Sequence, residues 1–107
     1  MIFVESPQFT RAITEIMDDD EYRLLQATLL GNPEAGALIV GSGGLRKIRW
    51  SLPGRGKRGG ARLIYYYWMV KRRIYLLYAY SKSAKGDLTR EQIKILAGLV
   101  QREVHDG

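Results

Sequence analysis

The sequence contains no cysteine, which excludes a disulfide framework, a thiolate zinc site and a cysteine nucleophile. Its one histidine, His105, falls close to the C-terminal end, so neither Ser–His–Asp chemistry nor a two-histidine metal site finds a place in the folded body. Long apolar runs are missing too. Ile64–Val70 is among the longest and falls far short of the roughly 20 residues needed to cross a bilayer. The opening MIFVESPQF has no basic stretch ahead of a long apolar one, so it does not read as a signal peptide. No membrane partner and a cytoplasmic location are expected. The most telling absence is of acidic residues, none of which occurs between Glu34 and Asp87.

That acid-free stretch holds Arg46, Lys47, Arg49, Arg55, Lys57, Arg58, Arg62, Lys71, Arg72, Arg73, Lys82 and Lys85. The first 34 residues show the opposite balance, seven acids against Arg11 and Arg23. The net charge of +6 is therefore segregated along the chain. Folding does not require such segregation. A polyanionic partner does, because clustered Lys and Arg neutralise phosphates and release counterions. The length of 107 residues, with 46% hydrophobic and 26% charged residues, suits one globular domain over residues 1–107.

Hydrophobic periodicity and turn residues predict the elements. Ile2–Glu5 reads as a short strand. Ser6-Pro7 reads as an N-cap and first helical residue, followed by Phe9, Ile13, Ile16 and Met17 on one helix face. Asp18–Glu21 opens a second helix with its carboxylates at the positive end, Tyr22, Leu25 and Leu29 line it, and Gly31-Asn32-Pro33 stops it. This start explains the acidic run better than a metal site does. Residues 35–44 read as a glycine-rich connection. Leu45–Trp50, Ala61–Trp68 and Arg73–Ser81 read as strands, the last two joined as an antiparallel hairpin near Met69–Arg72. Thr89 and Gln92 form a capping box, with Leu88 and Ile93 as a staple, ahead of a helix that buries Ile93, Leu96, Ala97, Val100 and Val104. His105 reads as a solvated helix end. The class is α+β, with helices segregated from a mostly antiparallel sheet.

Strand alternation puts Lys47 and Arg49 on one face of their strand, and Arg62, Ile64, Tyr66 and Trp68 on one face of the next. In the third strand it places Ile74, Leu76, Tyr78 and Tyr80 together, opposite Tyr75, Leu77, Ala79 and Ser81. Most of the tyrosines are expected in the core or at its edge. Gly54-Arg55-Gly56-Lys57-Arg58-Gly59 matches G-x-G-x-x-G, but a strand rather than a helix follows it, and no acid appears before Asp87. It reads instead as a basic loop able to follow a phosphate backbone.

Three blocks then form a recognisable pattern. They are Gly43-Gly44-Leu45-Arg46-Lys47-Ile48-Arg49, Gly56-Lys57-Arg58-Gly59-Gly60-Ala61-Arg62-Leu63-Ile64-Tyr65-Tyr66, and Tyr80-Ser81-Lys82 with Asp87-Leu88-Thr89. Together they resemble the RelE/ParE toxin superfamily, and its HigB-type branch in particular. The resemblance covers nearly the whole chain. It implies a RelE-like fold with a curved, mostly antiparallel sheet, two N-terminal helices and a C-terminal helix. It implies a type II toxin that cleaves mRNA in the ribosomal A site, paired with a HigA-like helix-turn-helix antitoxin through which alone it reaches operator DNA.

Metal-free RNA cleavage needs a base for the ribose 2′-hydroxyl, charge stabilisation at the phosphoryl oxygens, and an acid for the leaving oxygen. On the resemblance, Arg62 stabilises the phosphate and Lys57 and Lys82 are candidates for proton transfer, with no cofactor or metal. Lys47, Arg49, Arg58, Lys85 and Tyr80 are candidates for holding RNA. RelE carries a tyrosine shortly after its last strand, where this sequence offers Lys85, Asp87 and Thr89, so the identities of base and acid stay open. Two alternatives remain: a ParE-like gyrase inhibitor and a non-catalytic nucleic-acid-binding module.

Overall fold

The computed structural model describes residues 1–53, 60–83 and 86–106. Strand β1 (Ile2–Glu5) runs into Ser6, whose side chain accepts from the Phe9 N–H at 3.0 Å and whose hydroxyl donates to the Leu77 carbonyl at 2.7 Å. One residue thus caps helix α1 (Pro7–Ile16) and ties its start to the sheet. Helix α2 (Asp19–Gly31) begins as expected, with the Asp18 carboxylate accepting from the Glu21 N–H at 2.8 Å. Asp19, Asp20 and Glu21 fill its first turn, where the helix dipole favours negative charge.

A two-residue strand, β2 (Ala37–Leu38), follows within the stretch expected to be a plain connection. It pairs antiparallel with β3 (Leu45–Trp50), Ala37 opposite Lys47 and Leu38 opposite Arg46. Two residues show no alternation to read, so this strand is decided by its pairing with β3. Gly44, at φ 111°, makes the return into β3, and a Cβ there would meet the Tyr66 ring at 3.0 Å.

Strands β4 (Ala61–Trp68) and β5 (Arg73–Ser81) form the expected hairpin, and α3 (Arg90–Asp106) closes the fold. The Thr89–Gln92 capping box is formed in both directions, at 2.9 and 3.2 Å. The sheet order is β1-β5-β4-β3-β2, with β1 parallel to β5 and the other pairs antiparallel.

The helices do not segregate to one side. Helices α1 and α2 cover one face, with Phe9, Ile13, Met17, Leu25 and Leu29 packed on Ile48, Leu63, Tyr65, Ile74 and Leu76. Helix α3 covers part of the other, with Ile93, Leu96, Ala97, Val100 and Val104 against Leu45, Ile64, Tyr75 and Leu77.

One expectation for β5 is overturned. Ile64 pairs with Tyr78 but Tyr65 pairs with Leu76, so Leu77 has no partner of its own and forms a bulge. Beyond it the alternation inverts. Ala79 joins Ile74 and Leu76 in the α1–α2 core, whereas Tyr78 packs with Tyr75 and Leu77 on the α3 side. Tyr80 follows Tyr78, its ring 6.0 Å away. Strict period-two counting across the bulge assigns these tyrosines to the wrong face.

Candidate nucleic-acid interface

Helix α3 leaves one end of its sheet face uncovered, and the strand register fills that end with polar groups. Arg49 on β3 stands opposite Arg62 on β4, which stands opposite Tyr80 on β5. With strands about 4.8 Å apart, the three form a row roughly 10 Å long. The next row holds Lys47, Ile64 and Tyr78, and Ile64 there already belongs to the α3 core. The row therefore lies where packing stops and solvent begins.

Arg62 is half-buried and its Nη1 donates to the Ala61 carbonyl at 3.1 Å. A Cβ at Gly60 would lie 3.1 Å from that nitrogen and 3.3 Å from the Trp50 carbonyl, so the missing side chain lets the guanidinium lie along the backbone. The Gly60 carbonyl accepts from the Lys82 N–H at 3.0 Å, which brings Lys82 beside the start of β4. Among the described residues, neither Arg49, Arg62 nor Lys82 has a carboxylate oxygen within 4 Å.

Tyr80 is 5% exposed. Among the described residues its hydroxyl is the buried side-chain polar atom that has no hydrogen-bond partner. Burial pushes its pKa up, and so does the Asp87 charge, against the opposing pull of Arg62 and Arg49. The hydroxyl thus keeps its proton at neutral pH and can serve as a donor. Asp87, absent from the sequence-derived candidates, enters the site from the loop before α3. Its Oδ1 lies 3.5 Å from Lys47 Nζ. Lys47, then Lys82 and Arg49, hold its carboxyl below the usual range.

The other bases sort by position. Arg46 lies on the opposite face, its Nη1 donating to the carbonyls of Gly36 at 2.7 Å and Glu34 at 3.2 Å. Lys71, Arg72 and Arg73 sit at the far end of the hairpin. The candidates Lys57, Arg58 and Lys85, like Arg55, lie outside the described residues. Of the residues singled out from sequence, the structure therefore brings together Arg62, Arg49, Lys47, Lys82 and Tyr80. The signal for Asp87 was its place as the first acid after the long basic stretch.

The acids of the first third lie in the other layer, where Glu5 accepts from the Tyr22 hydroxyl at 2.6 Å and Glu21 from Trp50 Nε1 at 2.7 Å. The polar row is open at Arg49, partly covered at Arg62 and buried at Tyr80. A cleft of about 580 Å³ lies between Val4–Gln8 and Leu99–Glu103, away from it. An open, cationic surface suits a polymer better than an enclosed small ligand. Among the described residues no helix is long and apolar enough to cross a membrane.

No family model matches this sequence. Among solved structures, the chain is similar to a free-state mutant of the E. coli toxin RelE in which two arginines are replaced by alanine. The TM-score is 0.54 at 19% identity, over 94% of this chain and 95% of that chain. The element order and near-complete coverage in both directions show that this chain has a RelE-like α+β fold.

Proposed function

We propose that residues 1–107 form one RelE/ParE-superfamily toxin domain of HigB type, acting in the cytoplasm as a ribosome-dependent mRNA endoribonuclease. The observation that carries this reading is the row Arg49–Arg62–Tyr80, exposed at Arg49 and half-buried at Arg62, with no salt bridge to either arginine among the described residues. The likeness to RelE in fold supports it.

In this reading the ribose 2′-hydroxyl loses its proton and its oxygen attacks the adjacent phosphorus. The P–O5′ bond breaks as a proton reaches the leaving oxygen, giving a 2′,3′-cyclic phosphate and a 5′-hydroxyl end. Arg62 neutralises the charge that builds on the phosphoryl oxygens. Lys57 and Lys82 carry the proton transfers. Arg49, Lys47, Arg58, Lys85 and Tyr80 hold the RNA. A HigA-like helix-turn-helix antitoxin restrains the toxin and supplies the contact with operator DNA.

The test is to map mRNA 5′ ends during brief induced expression in bacteria, beside Arg62→Ala. Cuts within translated frames, lost when translation is blocked or Arg62 is replaced, are expected. Loss of one such phosphate-stabilising group is expected to lower the rate roughly 10²–10³-fold. Growth arrest with intact mRNA would overturn the nuclease reading in favour of gyrase inhibition.

A further inference from the structure

We propose that the tip of the β4–β5 hairpin is a second RNA-docking surface, distinct from the Arg49–Arg62–Tyr80 row and directed at the phosphates of a folded RNA. The inference builds on the nucleic-acid reading of the row. Its own observations come from the opposite end of the same two strands.

The tip presents Lys71, Arg72 and Arg73 in succession, and among the described residues none of them has a carboxylate partner. Lys71 Nζ lies 6.0 Å from the centroid of the Trp68 ring. Met69 and Val70 complete the tip at 62% and 84% exposure. Lys71 and Arg72 are therefore exposed, with Arg73 half-buried behind them in the sheet, next to an aromatic ring and two exposed apolar side chains.

The backbone supplies the second observation. Arg72 sits at φ 54°, in the left-handed region, and is the one such non-glycine residue among those described. Glycine or asparagine is the usual occupant of this place in a hairpin turn. The turn uses only main-chain groups of Arg72. Its N–H donates to the Met69 carbonyl at 3.1 Å, and its carbonyl accepts from the Ile2 N–H at 3.1 Å. Glycine would make both bonds with less strain. The arginine side chain is therefore held at a position where the fold itself favours another residue.

Geometry argues for a separate RNA segment. Six residues of β4 separate Arg62 from Trp68, about 20 Å at the rise of an antiparallel strand. On the face that carries the row, Ile64, and then Tyr66 and Trp68, join the apolar cluster that Val100 of α3 also enters. An RNA strand lying on Arg62 that continued along the sheet to the tip would meet the side chains of α3 packed over Ile64, Tyr75 and Leu77. Phosphates reaching both ends belong to a folded RNA, or to two segments of one. The charge-rich tip, with only two apolar residues, suits phosphates better than the interior of a bilayer.

The test compares the wild-type chain with Arg72→Gly and with Lys71→Gln/Arg72→Gly. Binding is measured to 70S ribosomes by co-sedimentation and to a 20-base-pair RNA duplex and a 12-nucleotide single strand by fluorescence anisotropy, across a salt series. Arg72→Gly is expected to raise Tm by roughly 2–5 °C. It is expected to weaken ribosome and duplex binding roughly 3–10-fold and to lower the duplex salt slope by about 0.9 for each phosphate no longer neutralised. Single-strand binding should not change.

Unchanged ribosome and duplex binding in both variants would overturn the proposal. A lower Tm for Arg72→Gly would overturn it as well, by showing that the arginine serves the turn. So would tip-dependent binding to phosphatidylserine vesicles with no tip-dependent RNA binding. Wild-type chain that ignores ribosomes yet binds the duplex through the tip would instead overturn the ribosomal reading and support this one.

Discussion

Arg62 and Tyr80 face each other across β4 and β5, one offering a guanidinium without a carboxylate partner and the other a buried hydroxyl without a hydrogen bond, among the described residues. A buried polar group left unpaired is unfavourable for the free protein. It becomes favourable once an acceptor arrives, and the neighbouring cations select an anionic one.

Tyr80→Phe tests that exchange. Removing an unsatisfied buried hydroxyl is expected to stabilise the free protein by about 1 kcal/mol, a rise of roughly 4–8 °C in Tm for a domain of this size. RNA affinity or cleavage should fall roughly tenfold, in keeping with the loss of a charge-assisted hydrogen bond. Thermal unfolding and single-turnover cleavage measure the two effects. A lower Tm would show that the hydroxyl already has a partner in the free protein.

Gly60→Ala should act on the site more than on the fold. The added methyl meets Arg62 Nη1 at 3.1 Å and the Trp50 carbonyl at 3.3 Å, so the guanidinium must move before the strands do. Displacing such a group is expected to lower cleavage roughly tenfold or more. A Tm change of more than about 1 kcal/mol equivalent would assign Gly60 to the backbone instead.

Asp87→Asn removes a carboxylate that competes with RNA phosphates for Lys47, Lys82 and Arg49. Single-stranded RNA should bind more tightly, with a salt slope steeper by about 0.7 for each further phosphate neutralised. The effect on stability has a defined sign. The folded-state pKa of Asp87 is lowered, so its attraction to Lys47 is fully present above the ordinary carboxylate range and is lost as pH falls through the lowered value. The Tm difference between wild type and Asp87→Asn should therefore shrink on acidification. Weaker RNA binding by Asp87→Asn would show that the carboxylate aids the substrate.

Tyr65→Phe is the contrasting case. Its hydroxyl accepts from the Gly36 N–H and donates to the Pro33 carbonyl, both at 2.8 Å. Losing both should destabilise the fold by roughly 1–3 kcal/mol, read as a lower denaturant midpoint, with RNA affinity unchanged. A change in affinity at matched folded fraction would extend the functional surface to the β2 side.

Much of this protein was determined locally. Ser6, Asp18 and Thr89 start helices because short polar side chains satisfy the first free N–H groups, and that chemistry needs no tertiary context. The three long strands follow from alternation and from the turn residues between them. Alternation also put Lys47 with Arg49, and Arg62 with Ile64, on shared faces of their strands, because residues two apart on one strand lie on the same side.

Tertiary structure decided the rest. The covering of both faces by helices and the approach of Asp87 to Lys47 join residues far apart in the chain, and the β2 pairing depends on the partner strand rather than on any pattern within Ala37–Leu38. The Leu77 bulge decided most of all. It turns Tyr78 and Tyr80 towards α3 and places Tyr80 in register with Arg62. A bulge is set by how two strands pair, which period-two reading of one strand does not contain.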